Sequence, residues 1–206
     1  MKAATRKAKA PPEAYPWPLI LRVRPALDVT EEQFLALCQL NDALWIERTA
    51  EGDWSIMPPV GGTSGRGEAS IIARLWVWAE RDGTGTVFSP STGFRLPNGA
   101  VRAPDASWLP NSRLEQLSAQ EWERFLPLCP DFVLELRSPS DRLEALQAKM
   151  AEYIANGARL GWLLDPEARQ VYVYRPDAPV QRLDNPQTLA GDPVLPGFAL
   201  DLREIW

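Results

Sequence analysis

Glu135 stands inside Asp131–Leu136 (DFVLEL), a run in which Phe132, Val133, Leu134 and Leu136 suit a strand buried on both faces. A carboxylate in such a place needs a partner, because desolvating an unpaired charge costs several kcal/mol or shifts its pKa. Two readings are open. Glu135 pairs with Arg137 or another base near the strand end, or it belongs to a set of acids that does chemistry. Asp105, directly after Pro104 and ahead of the strand-like Ala106–Leu109, is a second carboxylate of this kind, although a Pro-Asp pair by itself marks only a turn. The chain has no histidine. That removes Ser-His-Asp and Cys-His catalysis, histidine zinc sites and a histidine general base. Any chemistry must run on carboxylates, lysine, tyrosine and bound metal.

The elements that would carry these groups can be read in order. Thr30–Asn41 has Phe34, Leu35, Leu37 and Cys38 at helical spacing behind a Thr cap with two acids in its first turn. Ala43–Met57 reads as a hairpin turning at Gly52, and both segments look structural. GGTSGRGE, beginning at Gly61, lacks the residue order of a phosphate loop and is read as a loop leading into a helix that ends near Arg81. Ile71, Ile72, Leu75, Trp78 and Ala79 form the apolar stripe of that helix. Glu68, in register with the stripe, is placed in its first turn, where the helix dipole favours an acid in any protein. Thr86–Asp105 gives short strands around a Pro-Asn-Gly turn, and residues 110–129 form a polar segment with one amphipathic helix.

After the Glu135 strand, Ser138-Pro139-Ser140-Asp141 makes a turn, with Asp141 expected as N-cap and Glu144 completing a capping box. The following helix is expected to run to about Asn156, with Gly157 as its C-cap. Leu143, Leu146, Met150, Tyr153 and Ile154 fall on one buried arc, and Lys149 sits at its edge, able to reach solvent or the strand end that carries Glu135. Leu160–Asp165 and Gln170–Arg175 close the chain's core as two strands around Pro166-Glu167.

Composition bounds the rest. A chain of 206 residues, 45% hydrophobic and 24% charged, is long enough for one sizeable core. One domain over residues 19–206 is expected, behind a mobile basic and Pro-rich arm over 1–18. The formal net charge of −5 argues against broad electrostatic attraction to nucleic acid and leaves a local basic patch or bound metal as the means of contact. Two cysteines make no disulfide framework, and the absence of a long apolar run or a secretory signal points to a cytoplasmic protein without membrane contact. Of nine tryptophans, Trp78 and Trp162 are expected in the core. Trp76 and Trp108 are the ones whose exposure matters; an exposed Trp76 beside Trp45 or Trp54 would mark a dimer contact rather than a base platform.

The segments SPSTGFRLPNGAVRAPDASW, CPDFVLELRSPSDRLEALQAKMAEYIANGARLGWLLDP and VYVYRP resemble the Uma2 family, catalogued as restriction endonucleases and placed in the PD-(D/E)XK nuclease superfamily. The resemblance covers about residues 30–205. It implies an α/β fold of the α+β type, a restriction-endonuclease-like mixed β-sheet flanked by helices. It makes Asp105 the first acid of the superfamily motif and Glu135 the second, both as ligands of Mg²⁺ or Mn²⁺, with Lys149 on the following helix as catalytic base. Glu68 becomes an additional metal-site acid, and Arg137 and Tyr153 auxiliary residues. Arg137 departs from the parent pattern, which has lysine there; arginine stays protonated and is a poor base. The activity implied is metal-dependent hydrolysis of DNA phosphodiester bonds by a homodimer. The alternative is a catalytically inactive binding or assembly module with the same fold.

Overall fold

The computed structural model describes residues 18–206, so the expected arm lies outside the described residues except for Pro18. The elements in chain order are β1 (Leu19–Leu21), α1 (Glu31–Leu40), β2 (Trp45–Arg48), β3 (Trp54–Met57), α2 (Gly62–Asp82), β4 (Gly85–Phe88), β5 (Phe94–Arg95), β6 (Val101–Arg102), β7 (Ala106–Pro110), α3 (Asn111–Leu114), α4 (Ala119–Trp122) and β8 (Phe132–Leu136). Then follow α5 (Leu143–Ala155), β9 (Leu160–Asp165), β10 (Gln170–Tyr174), β11 (Gln181–Asp184), β12 (Thr188–Ala190) and β13 (Ala199–Asp201). Among the described residues no helix is long and apolar enough to cross a membrane.

A six-stranded sheet in the order β11-β10-β9-β8-β7-β4 forms the centre. It is mixed: β8 and β9 pair in parallel, while the other neighbours are antiparallel. Parallel neighbours require a crossover, and α5 supplies it. β8 is buried along its whole length, and its side chains alternate between two cores. Phe132, Leu134 and Leu136 face the layer of α2, with Ile71, Leu75 and Trp162. Val133 faces the layer of α5, with Met150, Tyr153 and Leu163. Glu135 shares the parity of Val133, so the pleat alone turns its carboxylate toward α5. Gly161 on β9 lets the helix approach, because a Cβ there would lie 2.5 Å from Met150 Cε.

The second sheet, in the order β1-β3-β2-β6-β5, carries α1 on one face, where Phe34, Trp54 and Val101 form a third core. α1 follows the sequence closely: Thr30 caps it and Gln33 completes a capping box. The tryptophans divide as their positions dictate. Trp162 and Trp108 are buried, Trp78 packs 5.8 Å from Trp108, and Trp76 is 50% exposed. Trp54 is buried in the third core, and no aromatic pair among the described residues joins Trp76 to it or to Trp45.

Three local expectations are corrected. GGTSGRGE is not a loop: α2 begins at Gly62, so Glu68 lies in its second turn. Glycine disfavours helix by about 1 kcal/mol relative to alanine, but Ser64 and Gly67 continue the buried row of Ile71, Leu75 and Ala79, and a Cβ on Gly67 would come within 2.9 Å of Leu136 Cδ2. Tertiary packing overrides propensity there. Asp141 is not a helix cap. Its Oδ2 accepts from the backbone N and Oγ of Ser138, closing the turn, and Arg142 occupies the N-cap without a side-chain bond. Residues 110–129 hold two short helices, α3 and α4, in place of one amphipathic helix.

Candidate active site

The antiparallel ladder between β7 and β8 ends with Ala106 opposite Leu134. One step further, Asp105 faces Glu135, and Asp105 Oδ2 accepts from the backbone N of Leu136 at 2.7 Å. Directly opposed residues of an antiparallel pair point to the same side, and like charges there repel. The effect is visible in Asp105, half-buried, whose carboxyl is pushed well above the usual range by its burial and then by Glu135 beside it.

Lys149 and Tyr153, one turn apart on α5, reach the same carboxylate. Lys149 Nζ lies 2.9 Å from Glu135 Oε1, and the Tyr153 hydroxyl donates to that oxygen at 3.1 Å. Lys149 therefore takes the inward course of the two open to it. It is also 2.8 Å from Oε1 of Glu47 on β2, a carboxylate only 3% exposed. Glu47 in turn accepts from the backbone N of Ala103 at 2.9 Å and pairs with Arg102 at 3.1 Å, while Arg102 Nε holds Glu152 at 2.6 Å. The result is a chain of alternating charge, Glu135–Lys149–Glu47–Arg102–Glu152, tying both sheets to α5.

Its electrostatics are uneven. Burial works to raise Glu47, but Lys149 and Arg102 outweigh it and hold the acid below its usual range. Glu135 has one cation against its own burial and the charge of Glu47, and is held above its range. Lys149 is raised against the effect of its burial by Glu135 and then Glu47. The two partners of the Lys149–Glu135 pair thus disagree in what they favour. The geometry resolves this, since Lys149 touches two carboxylates and Glu135 only one ammonium; the lysine is the member held charged. Tyr153 is raised well above its range by burial and by Glu135, so it serves as a hydrogen-bond donor.

All of these groups except the buried Tyr153 line a cleft of about 740 Å³ that also includes Glu68, Ser138 and the uncapped start of α2 at Gly61 and Gly62. Among the described residues, Glu135, Glu47 and Glu152 form their ion pairs with Arg102 and Lys149 and Asp105 forms none, an excess of negative charge that a divalent cation would neutralise. Among the described residues, Oδ1 of Asp105 and Oε2 of Glu135 accept no hydrogen bond. No three acids, cysteines or histidines among the described residues converge as a ready metal cage. A pair of carboxylates completed by waters and substrate oxygens is what Mg²⁺ commonly uses, so the donor set fits that ion. Glu68 lies in the cleft wall, half-buried and raised by its burial and by Asp141, but outside this pair.

Arg137 is elsewhere. It neither pairs with Glu135 nor lines the cleft; its NH1 lies 2.8 Å from Asp165, which is 1% exposed, and Asp165 also accepts from Ala168 N at 3.2 Å. Arg137 thus lies apart from the other residues expected at the site and clamps the β9–β10 turn through Asp165. Arg137→Ala is expected to leave Asp165 buried without its cation and to cost up to about 3–5 kcal/mol of stability, measured by urea unfolding. Any cleavage per folded molecule stays unchanged; a fall in cleavage with stability intact would return Arg137 to the site.

The sequence reading missed Glu47, Arg102 and Glu152. Glu47 was placed in a structural hairpin, yet its strand carried the same signal as Glu135, a carboxylate beside apolar residues. Glu152 stands one residue before Tyr153 and three after Lys149, a spacing that puts it on the same helix side.

The family model Uma2, described as "Putative restriction endonuclease", matches residues 31–203. A crystal structure of "a putative nuclease belonging to DUF820" from Anabaena variabilis superposes with a TM-score of 0.71 at 18% identity, covering 86% of this chain and 97% of that one. At that identity the likeness shows a shared fold. None of the curated proteins compared matches the chain.

Proposed function

The chain belongs to the Uma2 family, and on that premise we propose that it is a metal-dependent endonuclease hydrolysing DNA phosphodiester bonds at the Asp105–Glu135 cleft. The observation that carries this reading is the opposition of Asp105 and Glu135 at the strand ends, with one oxygen of each left without a donor among the described residues. Repulsion of this kind is costly in a fold unless something uses it. Asp105 and Glu135 would hold Mg²⁺ or Mn²⁺, which when bound lowers the pKa of a water and polarises the scissile phosphate. Lys149, kept charged by two carboxylates, is suited to orient the attacking water and to offset charge developing on the phosphate. On this reading it acts as a positioned cation rather than the catalytic base that the family resemblance implies. Tyr153 fixes the rotamer of Glu135, and Glu47 fixes Lys149.

The test is a Mg²⁺ titration of thermal stability and of plasmid cleavage on the same samples. Ligand at about 100 times its dissociation constant adds about 2.7 kcal/mol, so the wild type is expected to gain several degrees in Tm and to cut. Asp105→Asn and Glu135→Gln lose both responses. A wild type that neither gains stability nor cuts at millimolar Mg²⁺ or Mn²⁺ refutes the catalytic reading and leaves a binding module.

A further inference from the structure

The face of the second sheet that carries Glu47 does not end at the charged network. In the β1-β3-β2 ladder Ile20 pairs with Ser55, Ser55 with Glu47, and Trp45 with Met57. Direct partners share a face, and alternate residues of one strand do too. Trp45, Glu47, Ser55, Met57 and Ile20 therefore point to one side, opposite the side covered by α1. Moving outward from Glu47, charge gives way to an apolar ledge of Ile20, Trp45 and Met57, with Val60 beyond it, all lining the cleft. Among the described residues Trp45 is 37% exposed and Ile20 48%.

We propose that this ledge holds an unpaired nucleobase of the substrate strand, so that the enzyme acts on single-stranded or locally unpaired nucleic acid. The inference rests on the nuclease reading above and names its substrate class. Three observations carry it. The ledge is continuous with the carboxylate centre: it lines the same cleft as Asp105 and Glu135, and Trp45 stands two residues, about 7 Å along the strand, from Glu47, which Lys149 joins to Glu135. The cleft, at about 740 Å³, is of the size that encloses a small ligand, about 300–1,000 Å³, room for a single nucleotide unit beside the carboxylates. The net charge of −5 leaves little attraction for a long phosphate track, so holding a strand there falls to base contacts, which an exposed tryptophan on an apolar bed supplies for any base. Arg142, exposed in the cleft lining at the start of α5, offers one cation to a neighbouring phosphate.

The experiment measures binding without cleavage. Full-length protein is titrated with a labelled oligothymidylate carrying neutral methylphosphonate linkages, which cannot be cut and is not repelled by the acids. The same probe annealed to its complement serves as the duplex. Single strand is expected to bind more tightly than duplex, and Trp45→Ala to weaken single-strand binding about tenfold or more, with Trp45→Phe retaining most of it and Trp76→Ala without effect. Equal or tighter binding of duplex, or unchanged binding by Trp45→Ala, overturns the proposal. So does a Trp45→Ala variant that binds normally but loses self-association in sedimentation, which would make the ledge a contact between copies. Failure of the nuclease reading is recognised separately, by the absence of metal-dependent cleavage in the wild type whatever the probe does.

Discussion

Lys149→Ala is expected to lose metal-dependent cleavage by about 100-fold or more, the scale seen when one positioned charge donor is removed from a transition state. It is also expected to destabilise the fold by about 3–5 kcal/mol, because Glu135 would be left as a buried carboxylate without a cation and Glu47 would keep only Arg102. Two readings predict the second effect, catalytic centre and purely structural ion network, and only the first predicts that activity stays lost once stability is restored. The double variant Glu47→Gln with Lys149→Met removes one charge of each sign and relieves the share of the burial penalty that Glu47 carries. Cleavage assayed well below its midpoint of unfolding remains abolished if Lys149 acts on the substrate. Recovery of cleavage together with stability would make Lys149 a structural residue.

Glu47→Gln separates positioning from metal binding. The amide oxygen can still accept from Ala103 N, so the loop before Asp105 keeps its anchor, but the charge that holds Lys149 and Arg102 is gone. Cleavage is expected to fall about 10- to 100-fold, the scale of residues that orient a site from behind, while the midpoint of the Mg²⁺ titration stays where it was if Asp105 and Glu135 are the ligands and Glu47, held by Lys149, Arg102 and Ala103, is not. Stability should drop by about 1–3 kcal/mol. Full activity in this variant would reduce Glu47 to a structural tie between the sheets. A shift of the metal midpoint with cleavage restored at saturating Mg²⁺ would instead move Glu47 into the ligand set.

The two faces of β8 were legible because burial on both sides demands an unbroken apolar run, and Glu135 broke it. α1 was legible because its cap and its apolar row are local. The start of α2 was not: Gly62, Gly65 and Gly67 argue for a loop on propensity, and only the closeness of Leu136 shows why a residue without a side chain belongs on that helix. Arg137 was misplaced because two residues along a strand return to the same face in any register, while the end of β8 carries its side chain to Asp165 across the parallel neighbour.

By itself the sequence determined the chemical vocabulary and the elements. The absence of histidine, the odd carboxylates of Asp105 and Glu135, and Lys149 at the edge of a helical stripe all follow from residue types and periods of two and 3.6. Tertiary structure alone decided which acid meets which cation. Glu47 is 102 positions from Lys149 in the chain and 2.8 Å from it in space, and a periodic pattern carries the direction of a side chain but not the register between two sheets. The site and the ledge beside it lie where that register sets the two sheets and α5 together.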